Sequence, residues 1–141
     1  MEYKGFNLII KPSFFRPFGP LYNSAQAIYP FIFIPSYIAK NLNLTEYKAV
    51  LEHEIVHLNR ARKKGLLIWY PLYIISGSFR LKEEVIAYLH KKIYLESQGE
   101  VFDIEKHAMI LSGPIYGRMV SFEEACTLLK KSVSLDNLKL D

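Results

Sequence analysis

The stretch that decides the fold runs from Tyr47 to Lys64 and reads YKAVLEHEIVHLNRARKK. Apolar residues recur in it at steps of three and four, at Tyr47, Val50, Leu51, Ile55 and Leu58. This spacing predicts an amphipathic helix of about twenty residues that buries one face. Asn43 or Thr45 is expected to cap its start, and Gly65 follows the basic residues at its end.

Two histidines stand on this helix in the sequence His53-Glu54-Ile55-Val56-His57. Because residues four apart share a helix face, both imidazoles can bind one metal ion. Glu54 adjoins His53 and is placed to take a proton from a metal-activated water. The pattern therefore predicts zinc-assisted hydrolysis with His53 and His57 as ligands and Glu54 as general base. The alternative is a pair of surface histidines on an amphipathic helix.

A catalytic zinc usually keeps three protein ligands and one open position, so a third ligand is needed. Helical periodicity predicts a second helix over Leu81 to Ser97, which leaves enough chain after His57 for the two helices to pack together. Glu84 aligns at helical spacing with Ala87, a small residue that lets the helices approach closely. Glu83 points about 100° away from that line. Glu84 is therefore favoured as the third ligand, with Glu83 as the second choice and a solvated acid as the alternative.

The segments Tyr47–Lys64 and Arg80–Tyr88 (RLKEEVIAY) resemble the gluzincin metallopeptidases, in particular the small single-domain minigluzincins. The resemblance implies a zincin-like fold, one Zn²⁺ per chain and hydrolysis of a peptide or protein substrate. It also implies that a Glu-x-x-Ala segment completes the zinc site, and Glu84-Val85-Ile86-Ala87 matches that pattern. The chain departs from related patterns in having no aspartate that follows Glu84 to orient a zinc-binding histidine. A main-chain carbonyl is the alternative orienting group.

Before Tyr37 the chain has no helical period and contains five prolines, at positions 12, 17, 20, 30 and 35. This composition predicts strands and turns, with strands over Phe6–Ile10 and Ala27–Ile34. Pro30 cannot donate a ladder hydrogen bond, so the second strand is expected at a sheet edge or with a bulge. The resemblance implies that an extended substrate adds to such an edge strand, here beside Tyr29, Phe31 and Phe33.

Shorter helices are predicted over Asp103 to Leu111 and from Ser121, where Glu124 follows the capping serine by three residues. A polar tail is expected after Val133. The order of elements predicts an α+β domain over residues 1–141, in which a small N-terminal mixed or antiparallel sheet precedes a helical half with the HExxH helix at its centre.

The developing oxyanion of amide hydrolysis needs a hydrogen-bond donor beside the metal. Tyr88, Tyr116, His90 and His107 are the candidates, and Tyr116 lies in a glycine-rich bend that can direct it inward. With ten tyrosines in the chain, a core or rim aromatic is the alternative for each tyrosine.

The apolar run Leu66–Phe79 (LLIWYPLYIISGSF) is too short to span a bilayer, which takes about 20 residues. It is interpreted either as a core-filling connection between the two metal-binding helices or as a weak membrane-surface contact. In the second case Trp69, Tyr70 and Tyr73 lie at headgroup level beside the basic cluster Arg60 to Lys64.

One cysteine, Cys126, excludes an intramolecular disulfide framework or a multi-cysteine zinc ribbon and is expected to be a small buried hydrophobe. The formal charge of +4 is scattered in short clusters, so a nucleic-acid partner is not expected. No secretory signal is visible at the N-terminus, so a cytoplasmic location is the expectation. A catalytically silent metal-binding module for a protein, nucleic-acid or membrane partner, and more weakly a basic nucleic-acid binder, are the competing functions. The oligomeric state is left open.

Overall fold

The computed structural model describes residues 1–131, so the tail expected after Val133 lies outside the described residues. The N-terminal part forms a four-stranded mixed sheet of order β1-β2-β4-β3. Its strands are β1 (Glu2–Tyr3), β2 (Phe6–Ile10), β3 (Gln26–Ile28) and β4 (Phe31–Ile34). β2 and β4 are parallel, with Leu8 opposite Ile32, and the two outer pairs are antiparallel.

The strand predicted over Phe6–Ile10 is confirmed, whereas the single strand predicted over Ala27–Ile34 is wrong. The chain turns at Tyr29-Pro30, because proline lacks the N–H and the free φ that a continuous ladder needs, and it returns as the antiparallel pair β3 and β4. Phe31 and Phe33 therefore lie on β4, which is paired on both sides. Tyr29 lies in the turn, and the sheet edge that was assigned to these three residues is β3.

Six α-helices follow or flank this sheet in residues 1–131. They are α1 (Ser36–Lys40), α2 (Thr45–Lys64), α3 (Leu66–Ile75), α4 (Gly77–Ser97), α5 (Ile104–Leu111) and α6 (Phe122–Leu129). Two 3₁₀ segments cover Ser13–Leu21 and Pro114–Tyr116. The architecture is therefore α+β, as the order of elements predicted.

The HExxH helix is confirmed as α2, but neither Asn43 nor Thr45 caps it, because Leu44 is the N-cap residue and makes no side-chain bond. The predicted cap of the last helix, Ser121, is confirmed, and the helix before it is capped by Asp103. Asp103 accepts a hydrogen bond from the Lys106 amide at 3.0 Å, and Ser121 accepts one from the Glu124 amide at 3.2 Å. The Ser121 cap was predictable because a cap depends on residues within one turn of it.

The second long helix, α4, begins at Gly77, four residues before the predicted start at Leu81, and Ser76 is its N-cap. The connection before it is itself the helix α3, which sequence reasoning did not predict. Gly65 joins α2 to α3 with a φ of 99°, in the left-handed region that favours glycine. This tight corner turns the chain back over α2 and brings α4 alongside it.

Two apolar clusters meet at α2. On one side Leu51, Ile55 and Leu58 pack against the sheet residues Leu8, Ile32 and Ile34. On the other side Ala49 joins a helical cluster built from α4, α5 and α6, against which the half-buried Cys126 packs. Because α2 is covered from both sides, its polar residues His53, Glu54 and His57 are buried. A search of residues 1–131 found no helix with the length and apolar character needed to cross a membrane.

Candidate metal centre

Three buried side chains from α2 and α4 converge on one point. His53 and His57 lie one turn apart on α2, and their Nε2 atoms are 3.2 Å apart. Glu84 reaches them from α4, with Oε2 at 3.1 Å from His53 Nε2 and Oε1 at 3.0 Å from His57 Nε2. Ala87, one turn further along α4, is fully buried, which is consistent with the close approach expected of a small residue. These three residues form the group that can hold a metal ion.

The donor set fits zinc. Tetrahedral zinc with bonds of about 2.0–2.1 Å to nitrogen and oxygen places neighbouring ligand atoms about 3.3 Å apart. The distance of 3.2 Å between the two Nε2 atoms lies close to that value, and each Glu84 oxygen lies 3.0–3.1 Å from one of the two histidines. In addition, Glu84 Oε2 is buried and, apart from its contact with His53 Nε2 at 3.1 Å, has no hydrogen-bond partner among the described residues. A cation at the point of convergence would satisfy this carboxylate, since buried polar atoms rarely stay unpaired.

Glu83, the alternative third ligand, is directed elsewhere. Its Oε2 accepts hydrogen bonds from Arg60 Nε at 2.6 Å and from Trp69 Nε1 at 3.0 Å, while Oε1 accepts one from Arg60 Nη2 at 2.8 Å. Both carboxylate oxygens of Glu83 are thus engaged in hydrogen bonds that connect α4 to α2 and α3. The structure therefore brings Glu84 to the histidines and keeps Glu83 away from them.

The electrostatics of the site follow from burial and from the opposite charges in it. Burial favours a protonated Glu84, but His57 and His53 beside it hold the pKa of its carboxyl well below the usual range. Burial likewise opposes a charged His57, yet the negative charge of Glu84 raises the pKa of this histidine. For Glu54 burial outweighs the two histidines, so the pKa of its carboxyl is raised. One negative carboxylate thus lies between two imidazoles, next to a carboxyl whose pKa burial raises.

A cleft of about 1010 Å³ opens beside the convergent ligands. Residues of β3, α2, α3, α4 and α5 form its walls, and Glu54 lies in its lining with His53, His57 and Glu84. Glu54 is buried, with 8% of its surface exposed. Even so, its carboxylate has no hydrogen bond to any of residues 1–131. The carboxylate is therefore available to a water molecule or substrate in the cleft.

Three tyrosines approach the metal centre. The hydroxyl groups of Tyr88 and Tyr116 lie 3.4 Å apart, and the Tyr88 ring lies 4.4 Å from the ring of His53. The third tyrosine, Tyr73, donates a short hydrogen bond to Glu84 Oε1. Burial, together with the charge of Glu84, raises the pKa of Tyr73 and of Tyr116, so both hydroxyls keep their protons.

Sequence reasoning missed the role of Tyr73, which it considered only as a residue at a lipid interface. The available signal was its spacing of four from Trp69, since residues four apart lie on one helix face. The two rings stack at a centroid distance of 4.9 Å and an interplanar angle of 15°. Together they form the side of α3 that faces the metal centre.

The two remaining histidines are used differently. His107 lines the cleft, where its Nδ1 hydrogen-bonds the Asp103 carbonyl at 2.7 Å and its Nε2 lies 3.0 Å from Lys91 Nζ. Burial and the positive charge of Lys91 lower the pKa of His107 to about 4, so it is neutral at pH 7. His90 lies instead beside Glu52, with Nε2 at 3.6 Å from its carboxylate. Neither histidine joins the three convergent ligands.

The exposed edge of the sheet also reaches the cleft. Ala27 and Ile28 of β3 line it, and Tyr70 of α3 lies against this edge. The Tyr70 hydroxyl accepts a hydrogen bond from the Tyr29 amide at 2.8 Å and donates one to the Ala27 carbonyl at 3.4 Å. The Tyr70 side chain thus covers the Tyr29 amide and the Ala27 carbonyl. Both groups lie at the β3 edge, where a further strand would pair.

Comparison with known proteins found no matching family model, curated protein or solved structure. The resemblance to gluzincins therefore depends on the HExxH helix and the Glu84 segment alone.

Proposed function

We propose that this protein is a zinc-dependent metallopeptidase with a zincin-like fold. The observation that carries the proposal is the convergence of His53, His57 and Glu84, with contacts of 3.0–3.2 Å between them, beside a Glu54 carboxylate that lines the cleft and has no hydrogen bond within residues 1–131. Three protein ligands and a neighbouring carboxylate are the parts that hydrolytic zinc enzymes share.

His53, His57 and Glu84 would hold the ion. A bound zinc ion supplies Lewis-acid chemistry, which lowers the pKa of a coordinated water from near 16 to about 7. Glu54 takes a proton from the attacking water and later returns it to the leaving amine. The raised pKa of the Glu54 carboxyl favours this role, because a group that accepts and then donates a proton works best with a pKa closer to neutral.

The hydroxyls of Tyr73, Tyr88 and Tyr116 are the donors nearest to the site. Each keeps its proton at neutral pH, since its pKa is raised by burial and by the negative charge of Glu84. Tyr73 already donates to Glu84, so it orients that carboxylate. Among the described residues, neither Tyr88 nor Tyr116 is hydrogen-bonded to His53, His57 or Glu84. These two tyrosines remain our candidates for stabilising the oxyanion.

The proposed substrate is a peptide or a protein segment in extended form. β3 provides an unpaired edge on the cleft wall, and an extended peptide binds such an edge through main-chain hydrogen bonds. The backbone groups proposed for this pairing belong to Ala27 and Tyr29. They replace Phe31 and Phe33, which the sequence analysis placed beside the substrate. The hydroxyl of Tyr70 covers these groups and has to give way to a substrate strand.

A catalytically silent metal-binding module is the competing function. Such a module needs neither a free carboxylate next to the ion nor space for a substrate. The unbonded Glu54 and the cleft of about 1010 Å³ beside it favour the peptidase.

Two measurements on the purified protein test the proposal. Metal analysis after dialysis is expected to find one zinc ion per chain, and Glu54→Gln is expected to keep that zinc while losing hydrolysis of a mixed peptide library. Glu96→Gln, an exposed change near the end of α4, is the matched control and is expected to cleave as wild type does. Less than 0.1 zinc per chain, or a Glu54→Gln variant as active as wild type, contradicts the proposal.

A further inference from the structure

The helix α3 (Leu66–Ile75) has two faces with different surroundings. At 100° per residue, Leu66, Trp69, Tyr70 and Tyr73 fall within an arc of about 100°. This arc faces the protein: Trp69 is buried, Tyr70 reaches the sheet edge and Tyr73 reaches Glu84. The sequence suggested that the apolar run fills the core between the two long helices. Within α3, only this inner face does so.

The outer face of α3 is apolar, and no part of residues 1–131 covers it. It spans an arc of about 160° and contains no polar side chain. Its members and their exposed fractions are Leu67 93%, Ile68 55%, Leu72 36%, Ile74 74% and Ile75 82%, together with the exposed Pro71. Single exposed apolar residues are ordinary, but a contiguous patch of this kind marks an interaction surface.

The charged residues that flank α3 in the chain, up to the buried pair Glu83 and Glu84, are all of one sign. Residues 61–82 contain five basic residues and no acidic one. Three of them, Arg62, Lys63 and Lys64, form the exposed last turn of α2 directly before α3, and Lys82 is exposed after it. An apolar face flanked at both ends by positive charge is complementary to a lipid surface, in which anionic headgroups lie over apolar acyl chains.

The C-terminal backbone of α3 is suited to a poorly hydrated surface. Arg80 Nη1 donates to the carbonyl oxygens of Tyr73 at 2.7 Å and Ile74 at 3.1 Å. The Ser76 amide donates to the Leu72 carbonyl at 2.8 Å. The helix end therefore has carbonyl groups satisfied within the protein, which reduces the cost of removing water from it.

We propose that the outer face of α3 docks onto the surface of an anionic lipid bilayer, with the helix lying in the interface. Ten residues make a helix of about 15 Å, half the bilayer core of about 30 Å, so α3 lies on the membrane rather than across it. A second copy of this chain is a poorer occupant. Pairing two α3 faces would bring basic residues together in either orientation, because both ends of the helix are flanked by positive charge.

Vesicle co-sedimentation of the full chain tests the proposal, with or without zinc and independently of peptidase activity. The protein is expected to bind vesicles of 70% phosphatidylcholine and 30% phosphatidylserine more tightly than pure phosphatidylcholine. Leu67→Gln with Ile74→Gln is expected to lower the partition coefficient by about tenfold or more, because both side chains lose their apolar contact. Met109→Gln, an exposed apolar residue on α5, is the matched control and is expected to bind as wild type.

The electrostatic part is tested by Arg62→Gln and Lys64→Gln. Each is expected to weaken binding to the phosphatidylserine vesicles about fivefold while leaving binding to phosphatidylcholine unchanged. All variants alter exposed side chains, and their folding is checked by thermal unfolding. Absence of binding to anionic vesicles overturns the proposal, as does a dimer in sedimentation analysis that Leu67→Gln with Ile74→Gln dissociates.

Discussion

Replacing the two neighbouring glutamates of α4 separately tests the site assignment most sharply. Glu84→Gln removes the carboxylate that faces His53 and His57. Glu83→Gln removes the carboxylate that pairs with Arg60 at 2.6 Å and 2.8 Å. The two changes are chemically identical and one residue apart, so any difference between them comes from the direction of the side chains.

The magnitudes follow from what each carboxylate contacts. Binding of structural zinc by four ligands amounts to about 10–16 kcal/mol, or about 3 kcal/mol per ligand, so Glu84→Gln is expected to weaken zinc binding about a hundredfold. Breaking a buried ion pair from one side costs about 3–5 kcal/mol. Because glutamine still accepts one hydrogen bond, Glu83→Gln is expected to destabilise the fold by about 3 kcal/mol, a fall in Tm on the order of 10 °C.

The assay combines zinc titration against a competing chelator with thermal unfolding in EDTA. Glu84→Gln is expected to lose zinc affinity, and Glu83→Gln to lose thermal stability while its folded form binds zinc like wild type. A Glu84→Gln variant with wild-type zinc affinity refutes the ligand assignment. A folded Glu83→Gln variant that fails to bind zinc refutes the division of roles between the two residues.

Three further predictions concern the surroundings of the site. Burial raises the pKa of Glu52, but the nearby His90 and the close contacts with Lys4 and Tyr3 outweigh it and lower this pKa from 4.5 to about 2. The stabilising contribution of Glu52 is therefore present above pH 4.5 and is lost as pH falls toward 2. Urea unfolding at pH 6 and pH 3 is expected to show an acid loss of about 1 kcal/mol that Glu52→Gln lacks, a value discounted for the exposure of Lys4; an equal loss in both proteins would contradict this. Tyr70→Phe uncovers the sheet edge and is expected to lower KM about fivefold with kcat unchanged, whereas a raised KM would mean that the hydroxyl binds substrate. Ala87→Leu overfills the contact between α2 and α4 and is expected to cost about 1–3 kcal/mol in thermal unfolding, and an unchanged Tm would contradict that packing.

Features that depend on neighbours within one helical turn were predictable. The apolar stripe of α2, the shared face of His53 and His57, and the Ser121 cap each involve residues at most four apart. The Ala27–Ile34 segment was predicted wrongly because its β-branched and aromatic composition suits one strand or two equally well. Only the pairing of β3 with β4 around Tyr29-Pro30 distinguishes these cases.

The sequence by itself determined the helix that carries His53, Glu54 and His57, the face that the two histidines share, and the α+β order of the chain. The tertiary structure decided which of two adjacent acids faces the histidines, that Tyr73 supports the chosen one, and which strand forms the open edge. The physical reason is rotational. Neighbouring residues on a helix point about 100° apart, so the choice between Glu83 and Glu84 depends on how α4 is rotated against α2, and that rotation is set by packing between segments far apart in the chain.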